Sequence, residues 1–464
     1  MNNYQNTIAA ISTPPGKGGV AIIRISGEGA LLIASEIFHP ISKKNFRDAA
    51  PRVQVYGNIV HGGEIIDDGM ATYFKAPASY TGEDVVEISS HGGILVSEAV
   101  LSAVFAHGAR PARAGEFTER AFLSGKLSLT EAEAVGNLLE AESREQIRLA
   151  SAKSRFALTE KILKLHKELT AVLSSTFARI DYPDEDLGDF SDEEAIGILT
   201  SVLTSAKELS ATYQTAKAIC EGVRTTVCGK PNVGKSSLYN LLVGRDAAIV
   251  TSIEGTTRDV LTERIELGRV MLSLSDTAGL REGRTEDEIE KIGMERSRRA
   301  ISECELVIAV FDSSREFDSE DDELISLIKD SSATKVAVIN KCDKASRFDA
   351  SAILNIFDAT VEISALTAQN EAREGLSAVI NKLFTDEKIS IGNEAVIFSA
   401  RQKASLERAI ALIDSAISSL RAGMPQDAVS SDVEAALGAI SELDGRAVSE
   451  EIVADIFSKF CVGK

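Results

Sequence analysis

The sequence predicts a multidomain chain of α/β and all-α parts: a small N-terminal α/β domain, a helical domain split into two chain segments, and an α/β domain inserted between them. Three observations carry this expectation. Residues 1–126 mix short Val- and Ile-rich runs with Gly-rich turns. Two later stretches show long helical periodicity that begins at Ser/Glu capping boxes. Between them, strand and helix patterns alternate around a Gly-rich loop. The boundaries read as 1–126, 127–219 for the first helical segment, 220–382 for the insertion, and 383–464 for the second helical segment with its Cys-Val-Gly-Lys tail.

The elements follow in order. Val20–Ile25 after Pro14-Pro15-Gly16-Lys17-Gly18-Gly19, and Val85–Ile88 before His91-Gly92-Gly93, read as strands, with a helix over Gly93–Ala106. Ser128-Leu129-Thr130-Glu131 opens a helical region that runs to Ile180, where Asp181–Asp186 stops it with Pro183 and solvated charge. Ser191-Asp192-Glu193-Glu194 opens the next helix, with Leu199, Val202, Ala206 and Leu209 on one face. Near the end, Leu406, Ile410, Ile413, Ile417 and Leu420 form a stripe that Gly423-Met424-Pro425 closes, and Ser431-Asp432-Val433-Glu434 is expected to cap another helix.

Composition narrows the class. With 44% apolar and 26% charged residues the chain is not a disordered one. No run approaches the roughly 18 apolar residues of a membrane span, and the start lacks a basic segment followed by an apolar one. The five cysteines are odd in number and show no C-x-x-C spacing, which disfavours a disulfide framework or a cysteine zinc site. A cytoplasmic protein is expected. The net charge of −20 argues against a surface coated in nucleic acid. Residues 1–126 are nearly neutral, with 11 basic against 12 acidic side chains, so any polyanion must be met by a local patch.

The insertion carries the chemistry. After the strand Arg224–Cys228, Gly229-Lys230-Pro231-Asn232-Val233-Gly234-Lys235-Ser236 is a G-x-x-x-x-G-K-S loop that leads through Ser237 into a helix. Its amides and Lys235 suit phosphates, and Ser236 suits Mg2+. The strand Leu272–Ser275 ends in Asp276-Thr277-Ala278-Gly279, where Asp276 suits the Mg2+ shell and Gly279 an amide to the γ-phosphate. Thr257, in Gly255-Thr256-Thr257, suits the same Mg2+. Asn340-Lys341-Cys342-Asp343 follows a third strand; a carboxylate at Asp343 accepts N1–H and the 2-amino group of guanine, a pair adenine lacks. Ser364-Ala365-Leu366 offers an amide to the guanine oxygen.

This set resembles the Ras-like P-loop GTPases of the translation-factor-related class, and so implies GTP and Mg2+. One departure matters. Leu280 stands after Gly279 where Ras has the water-orienting Gln, so the hydrolytic group must come from elsewhere. Outside the insertion, Arg24 and Glu87 interrupt apolar strand patterns, as a ligand site or as a structural pair or water-facing edge. The tail Ile456–Lys464 holds Cys461, which is either functional or a small core residue on a frayed end.

With T-P-P-G-K-G-G-V…R-I-S-G near residue 20, Y-T-G-E-D-V-V-E at 80–87, G-E-F-T-E-R-A-F-L at 115–123, the GTPase set and the terminal F-C-V-G-K, the chain resembles the MnmE (TrmE) family from end to end. The resemblance implies an N-terminal domain similar to tetrahydrofolate-binding domains, and a homodimer. It also implies a flavin (FAD)-dependent partner, MnmG or GidA, in a heterotetramer that modifies C5 of the wobble uridine of certain tRNAs with an aminomethyl or carboxymethylaminomethyl group. Arg24, Glu87, Lys126 and Lys464 match the folate-contacting positions, for a 5,10-methylene- or 5-formyl-tetrahydrofolate, and Cys461 matches a functional tail cysteine. Asn232 matches a K+ ligand. The nucleotide-contacting loop Thr251-Ser252-Ile253-Glu254-Gly255-Thr256 would complete that shell through Thr251, Ile253 and Thr256. Glu290 matches the water-orienting glutamate; Glu288 is the alternative, because the stretch is two residues longer than the family spacing, and both also read as solvated charges. The competing assignment is a ribosome-assembly GTPase of the Era or Der type. Those carry a KH-like domain after the switch, whereas helices without a G-x-x-G clamp follow here.

Overall fold

The computed structural model describes residues 6–42, 44–181, 191–244, 263–274, 300–353 and 355–463. Packing divides the chain into two compact units: Met1–Leu139 with Ile162–Ile198 and Ala411–Lys464, and Glu140–Lys161 with Leu199–Ile410.

Alternating apolar residues in the first 126 positions build a sheet of seven strands among the described residues. They are β1 (Ile8–Ile11), β2 (Val20–Ser26), β3 (Phe38–Pro40), β4 (Gln54–His61), β5 (Glu64–Phe74), β6 (Val85–His91) and β7 (Arg110–Pro111), in the order β3-β4-β5-β6-β2-β1-β7. The period of two sorts the side chains. Ile23 and Ile25 of β2 and Val86 and Ile88 of β6 enter a core with Ile33 and Ile37 of α1 (Ala30–Ile37) and Val100 and Val104 of α2 (Ile94–Ala106). A smaller cluster holds Ile8, Ala10, Ala112 and Phe117 of α3 (Glu116–Leu123), with Tyr80 packed on it.

The capping box at Ser128 opens α4 (Leu129–Leu139): Ser128 Oγ accepts from the Glu131 amide at 3.2 Å, and Glu131 Oε2 from the Ser128 amide at 2.8 Å. The periodic stretch then resolves into three helices, because Ser143 and Gln146 form a fresh box ahead of α5 (Arg144–Leu149), which α6 (Ala152–Asp181) follows. Ser191 and Glu194 cap α7 (Asp192–Cys220) reciprocally, at 3.2 and 3.0 Å.

The second sheet, again among the described residues, comprises β8 (Val223–Gly229), β9 (Glu263–Leu267), β10 (Val270–Leu274), β11 (Leu306–Asp312), β12 (Thr334–Asn340) and β13 (Ala359–Glu362). Its order is β13-β12-β11-β8-β10-β9, parallel except for β9 with β10. Leu306–Phe311 of β11 are buried without alternation, as a strand covered on both faces requires. Among the described residues, α8 (Lys235–Val243), α9 (Ser319–Lys329) and α10 (Gln369–Phe384) belong to this part. Because β8 leads into α8 while its neighbours in the sheet are β10 and β11, the strand order reverses there, and the carboxyl ends of the strands form the expected ligand crevice. The insertion is thus a Ras-like α/β fold between helical segments.

After it come α11 (Ala400–Arg421), α12 (Gln426–Asp444) and α13 (Glu450–Ser458). Ser431 does not cap a helix; it lies inside α12, which begins at Gln426 after Pro425. Proline at a helix start forfeits no hydrogen bond, and its fixed φ, here −54°, suits that position, so Pro425 sets the boundary. Val453 and Phe457 of α13 pack on Leu129 and Ala132. No helix among the described residues is long and apolar enough to cross a membrane.

One buried charge cluster tests the N-terminal packing. Glu116, 3% exposed, accepts from Arg110, the Arg113 amide and Arg120. Burial alone would raise its pKa, but these bonds outweigh that and lower it to about 2. The ionised form therefore contributes about 3 kcal/mol, complete above the ordinary glutamate range and lost as pH falls towards 2. Glu116→Gln is expected to lower the melting of the unit containing it by roughly 5–10 °C at neutral pH in calorimetry of the full chain. At a pH near 2 the difference between variant and wild type should vanish.

Candidate functional site

The loop from Gly229 to Gly234 joins β8 to α8, and two glycines are obligatory in it. A Cβ on Gly229, at φ +150°, would stand 2.6 Å from the Val310 carbonyl oxygen; one on Gly234, at φ +103°, would stand 2.2 Å from Asn340 Nδ2. Among the described residues no side chain caps the first turn of α8, which leaves its amides facing the loop. Helix-start amides of this kind accept an anion. Lys235 Nζ donates to the Gly229 and Lys230 carbonyls at 2.7 Å each. Burial pushes its ammonium pKa down, which a phosphate beside it would reverse. Ser236 is exposed and Ser237 half-buried in the same turn. This donor set fits a nucleotide phosphate chain with Mg2+.

Other loops brace the phosphate loop by its own carbonyls and side chains. Asn340 Nδ2 donates to the Val233 carbonyl at 3.0 Å, and its Oδ1 accepts from the Ala365 amide at 3.0 Å. Lys341, left-handed at φ 65°, donates through Nζ to the Asn232 carbonyl at 2.5 Å and to Asp312 Oδ2 at 2.6 Å. Lys230 Nζ reaches Asp318 at 2.6 Å and Asp321 at 2.7 Å; burial would lower its pKa, and the two carboxylates raise it instead. Asn340 and Lys341 are therefore joints between loops. The carboxylate of Asp343 is exposed beside them. Its Oδ1 accepts from Ser364 Oγ at 2.6 Å, which holds its pKa below the ordinary range, and Leu366 beyond it is 75% exposed. Asn232 is exposed at φ 63°, with its side-chain amide unpartnered among the described residues.

The structure thus brings residues 232–237, Asn340, Lys341, Asp343 and Ser364–Leu366 together at one end of the sheet. Thr251, Ser252, Ile253, Glu254, Gly255, Thr256, Thr257, Asp276, Thr277, Ala278, Gly279, Glu288 and Glu290 lie outside the described residues. Asp312, Asp318 and Asp321 escaped the sequence reading. The available signals were an aspartate ending an all-apolar strand and an aspartate capping box at the start of α9.

In the N-terminal sheet Arg24 and Glu87 stand directly opposite each other across β2 and β6, with Nε 2.9 Å from Oε1. The guanidinium lies 5.3 Å from the Tyr80 ring centroid and 5.6 Å from that of Phe117, and Nη1 donates to the Gly463 carbonyl at 3.3 Å. Ser12 Oγ donates to the same carbonyl at 3.1 Å. The Gly115 amide donates to the Cys461 carbonyl at 3.4 Å, and Val462 forms an antiparallel bridge with Ala114. A Cβ on Gly463 would stand 2.4 Å from the Ile11 carbonyl oxygen, so the tail is seated rather than frayed. Cys461 is exposed. Lys126 is exposed and makes no side-chain bond among the described residues, and Lys464 lies outside them. A cavity of about 680 Å3 is lined by Ile11, Thr13, Lys17, Ile94, Phe105 and Val462, but not by Arg24, Glu87 or Lys126.

The family model for the GTP-binding protein TrmE N-terminus matches residues 7–126, and that for the MnmE helical domain matches residues 129–461. The tRNA modification GTPase MnmE of Clostridioides difficile is 37% identical over 461 residues, covering 99% of each chain. The protein of that name from Finegoldia magna is 37% identical over 457 residues, 98% of this chain and 99% of that one. The one from Carboxydothermus hydrogenoformans is 38% identical over 469 residues, 99% and 100%. A crystal structure of Aquifex aeolicus Era bound to GDP and aluminium fluoride shares 24% identity over 41% of this chain and 66% of that one, with a TM-score of 0.27, too partial an overlap to bear on function.

Asp343 gives the sharpest test of base selection. Asp343→Asn replaces an acceptor pair by an amide that matches xanthine. Fluorescence titration should show GTP affinity falling by about 100-fold or more while XTP binding rises. Loss of GTP without a gain of XTP would remove Asp343 from the base contact.

Proposed function

Because the chain belongs to the MnmE family of tRNA modification GTPases, we propose that its GTPase cycle drives modification of C5 of the wobble uridine of certain tRNAs. The carbon unit comes from a folate, and the modification is made together with a flavin-dependent partner of the MnmG type. The chain is a GTP hydrolase, and tRNA is its macromolecular substrate. The observation that carries the nucleotide reading is Asn340, whose one amide joins the phosphate loop at Val233 to the Ala365 loop beside Asp343. The match of a helical-domain model over residues 129–461 favours this reading over a ribosome-assembly GTPase.

Each residue then has a task. The amides of the Gly229–Gly234 loop and Lys235 hold the phosphates, Ser236 and Thr257 would hold Mg2+, and Asp343 selects guanine. Asn232, with Thr251, Ile253 and Thr256, would hold K+, which would supply positive charge against the negative charge that develops on the phosphate oxygens as the β–γ bond breaks. The side-chain amide of Asn232, exposed and without a partner among the described residues, supports this role. Glu290, or Glu288, orients the water in place of the glutamine that Leu280 replaces. In the N-terminal domain Arg24, Glu87, Lys126 and Lys464 would bind the folate. A carboxylate can pair with the pterin edge, and the cations suit its anionic tail. The bonds from Arg24 and Ser12 to Gly463 support a pocket that the chain's last residues help to form, next to Cys461. A homodimer would order the nucleotide loops by pairing two GTPase domains.

Two outcomes check this reading. GTP hydrolysis should be faster in K+ than in Na+ by about tenfold or more, and Asn232→Ala should remove that difference while leaving GDP affinity nearly unchanged. Equal wild-type rates in the two salts would refute the cation role. Separately, mass spectrometry of tRNA nucleosides from cells lacking the protein should show the C5 modification missing. Wild-type protein should restore it, whereas a chain without Cys461–Lys464 should not, although its affinity for GDP stays at the wild-type value. Full restoration by the truncated chain would show the tail to be dispensable.

A further inference from the structure

Asp312 ends a strand whose other six residues, Leu306–Phe311, are apolar and buried, and its own side chain is only 3% exposed. A carboxylate so placed costs several kcal/mol unless cations and donors compensate it. Here they do. Oδ2 accepts from Lys341 Nζ at 2.6 Å, Oδ1 accepts from Ser314 Oγ at 2.7 Å and from the Ser314 amide at 3.0 Å, and Arg315 Nε stands 3.7 Å from Oδ2. Burial alone would raise its pKa, and these bonds hold it below the ordinary aspartate range, so the group is charged at neutral pH. The same Lys341 ammonium lies 2.5 Å from the carbonyl of Asn232. Both Lys341 and Asn232 sit in left-handed backbone, a conformation uncommon for non-glycine residues and less natural to lysine than to asparagine.

We propose that Asp312 is a positioning residue that couples base recognition to the cation-binding asparagine. By pinning the Lys341 ammonium, it fixes at once the turn that presents Asp343 and the peptide that aims Asn232. Lysine carries much rotamer freedom, and a buried opposite charge removes it. Neither Asp312 nor Lys341 touches the reacting phosphate in this scheme; both act through Asn232 and Asp343. The inference rests on the reading of Asn232 as a K+ ligand, and the test separates the two.

The full-length protein is compared with Asp312→Asn, which keeps an acceptor oxygen and the shape but drops the charge, and with Asp312→Ala. Two quantities are read: equilibrium affinity for a fluorescent GDP, and the K+ concentration at which bound GDP forms its aluminium fluoride complex. Asp312→Ala should weaken GDP binding by about tenfold and raise the half-saturating K+ concentration by about fivefold, and Asp312→Asn should shift both in the same direction by less. GDP affinity within about twofold of wild type in both variants, or weaker GDP binding with an unshifted K+ titration, would overturn the coupling. Should Asp312→Ala fail to fold, the Asp312→Asn titrations decide alone. A wild-type complex that forms equally well in Na+ and K+ would overturn the cation reading, and the coupling with it, before any substitution is made.

Discussion

A phosphate-binding loop must hold its amide groups inward before any phosphate arrives, and the rest of this nucleotide fold depends on meeting that constraint. Glycine supplies the backbone shape at Gly229 and Gly234 but gives no rigidity of its own. Rigidity comes from side chains that reach in from other loops: Asn340 to the Val233 carbonyl, Lys341 to the Asn232 carbonyl, and Lys230 outward to Asp318 and Asp321. Each of these partners sits at or beyond the carboxyl end of a strand. The site therefore exists only once β8, β11 and β12 lie side by side, and sheet formation and site formation are one event.

The N-terminal sheet solves a different problem. Arg24 and Glu87 occupy one register position on neighbouring strands, so the half-buried charges neutralise each other before any ligand is considered. The arginine then spends a second donor on the tail carbonyl of Gly463. A structural pair and a binding pair are thus compatible here, because five guanidinium donors outnumber one carboxylate.

How much of this was legible in the sequence depended on range. The phosphate loop, the capping boxes at Ser128 and Ser191 and the strand leading to Asn340 are local patterns, and the structure places them as read. Ser431 misled for a local reason, since Pro425 upstream was the stronger start signal. The break at Ser143 is a local signal that the reading passed over, since Ser143 and Gln146 form a capping box of the kind read at Ser128. What stayed invisible was long-range: that Asp312 faces Lys341, 29 residues further on. Such pairs depend on which strands become neighbours, and no spacing rule for one segment contains that information. Arg24 and Glu87 stood out as misplaced charges, but only the register of β2 on β6 makes them opposite.

The bond between Arg24 and Gly463 joins positions 439 residues apart. At ordinary rates of synthesis the ribosome needs about 20 to 90 s to travel that distance. The first domain to emerge therefore lacks this contact until residue 463 has been added. A chain released just before that point would hold every strand of the first sheet yet leave Arg24 without its tail acceptor, so a contact of the first domain is among the last that synthesis supplies.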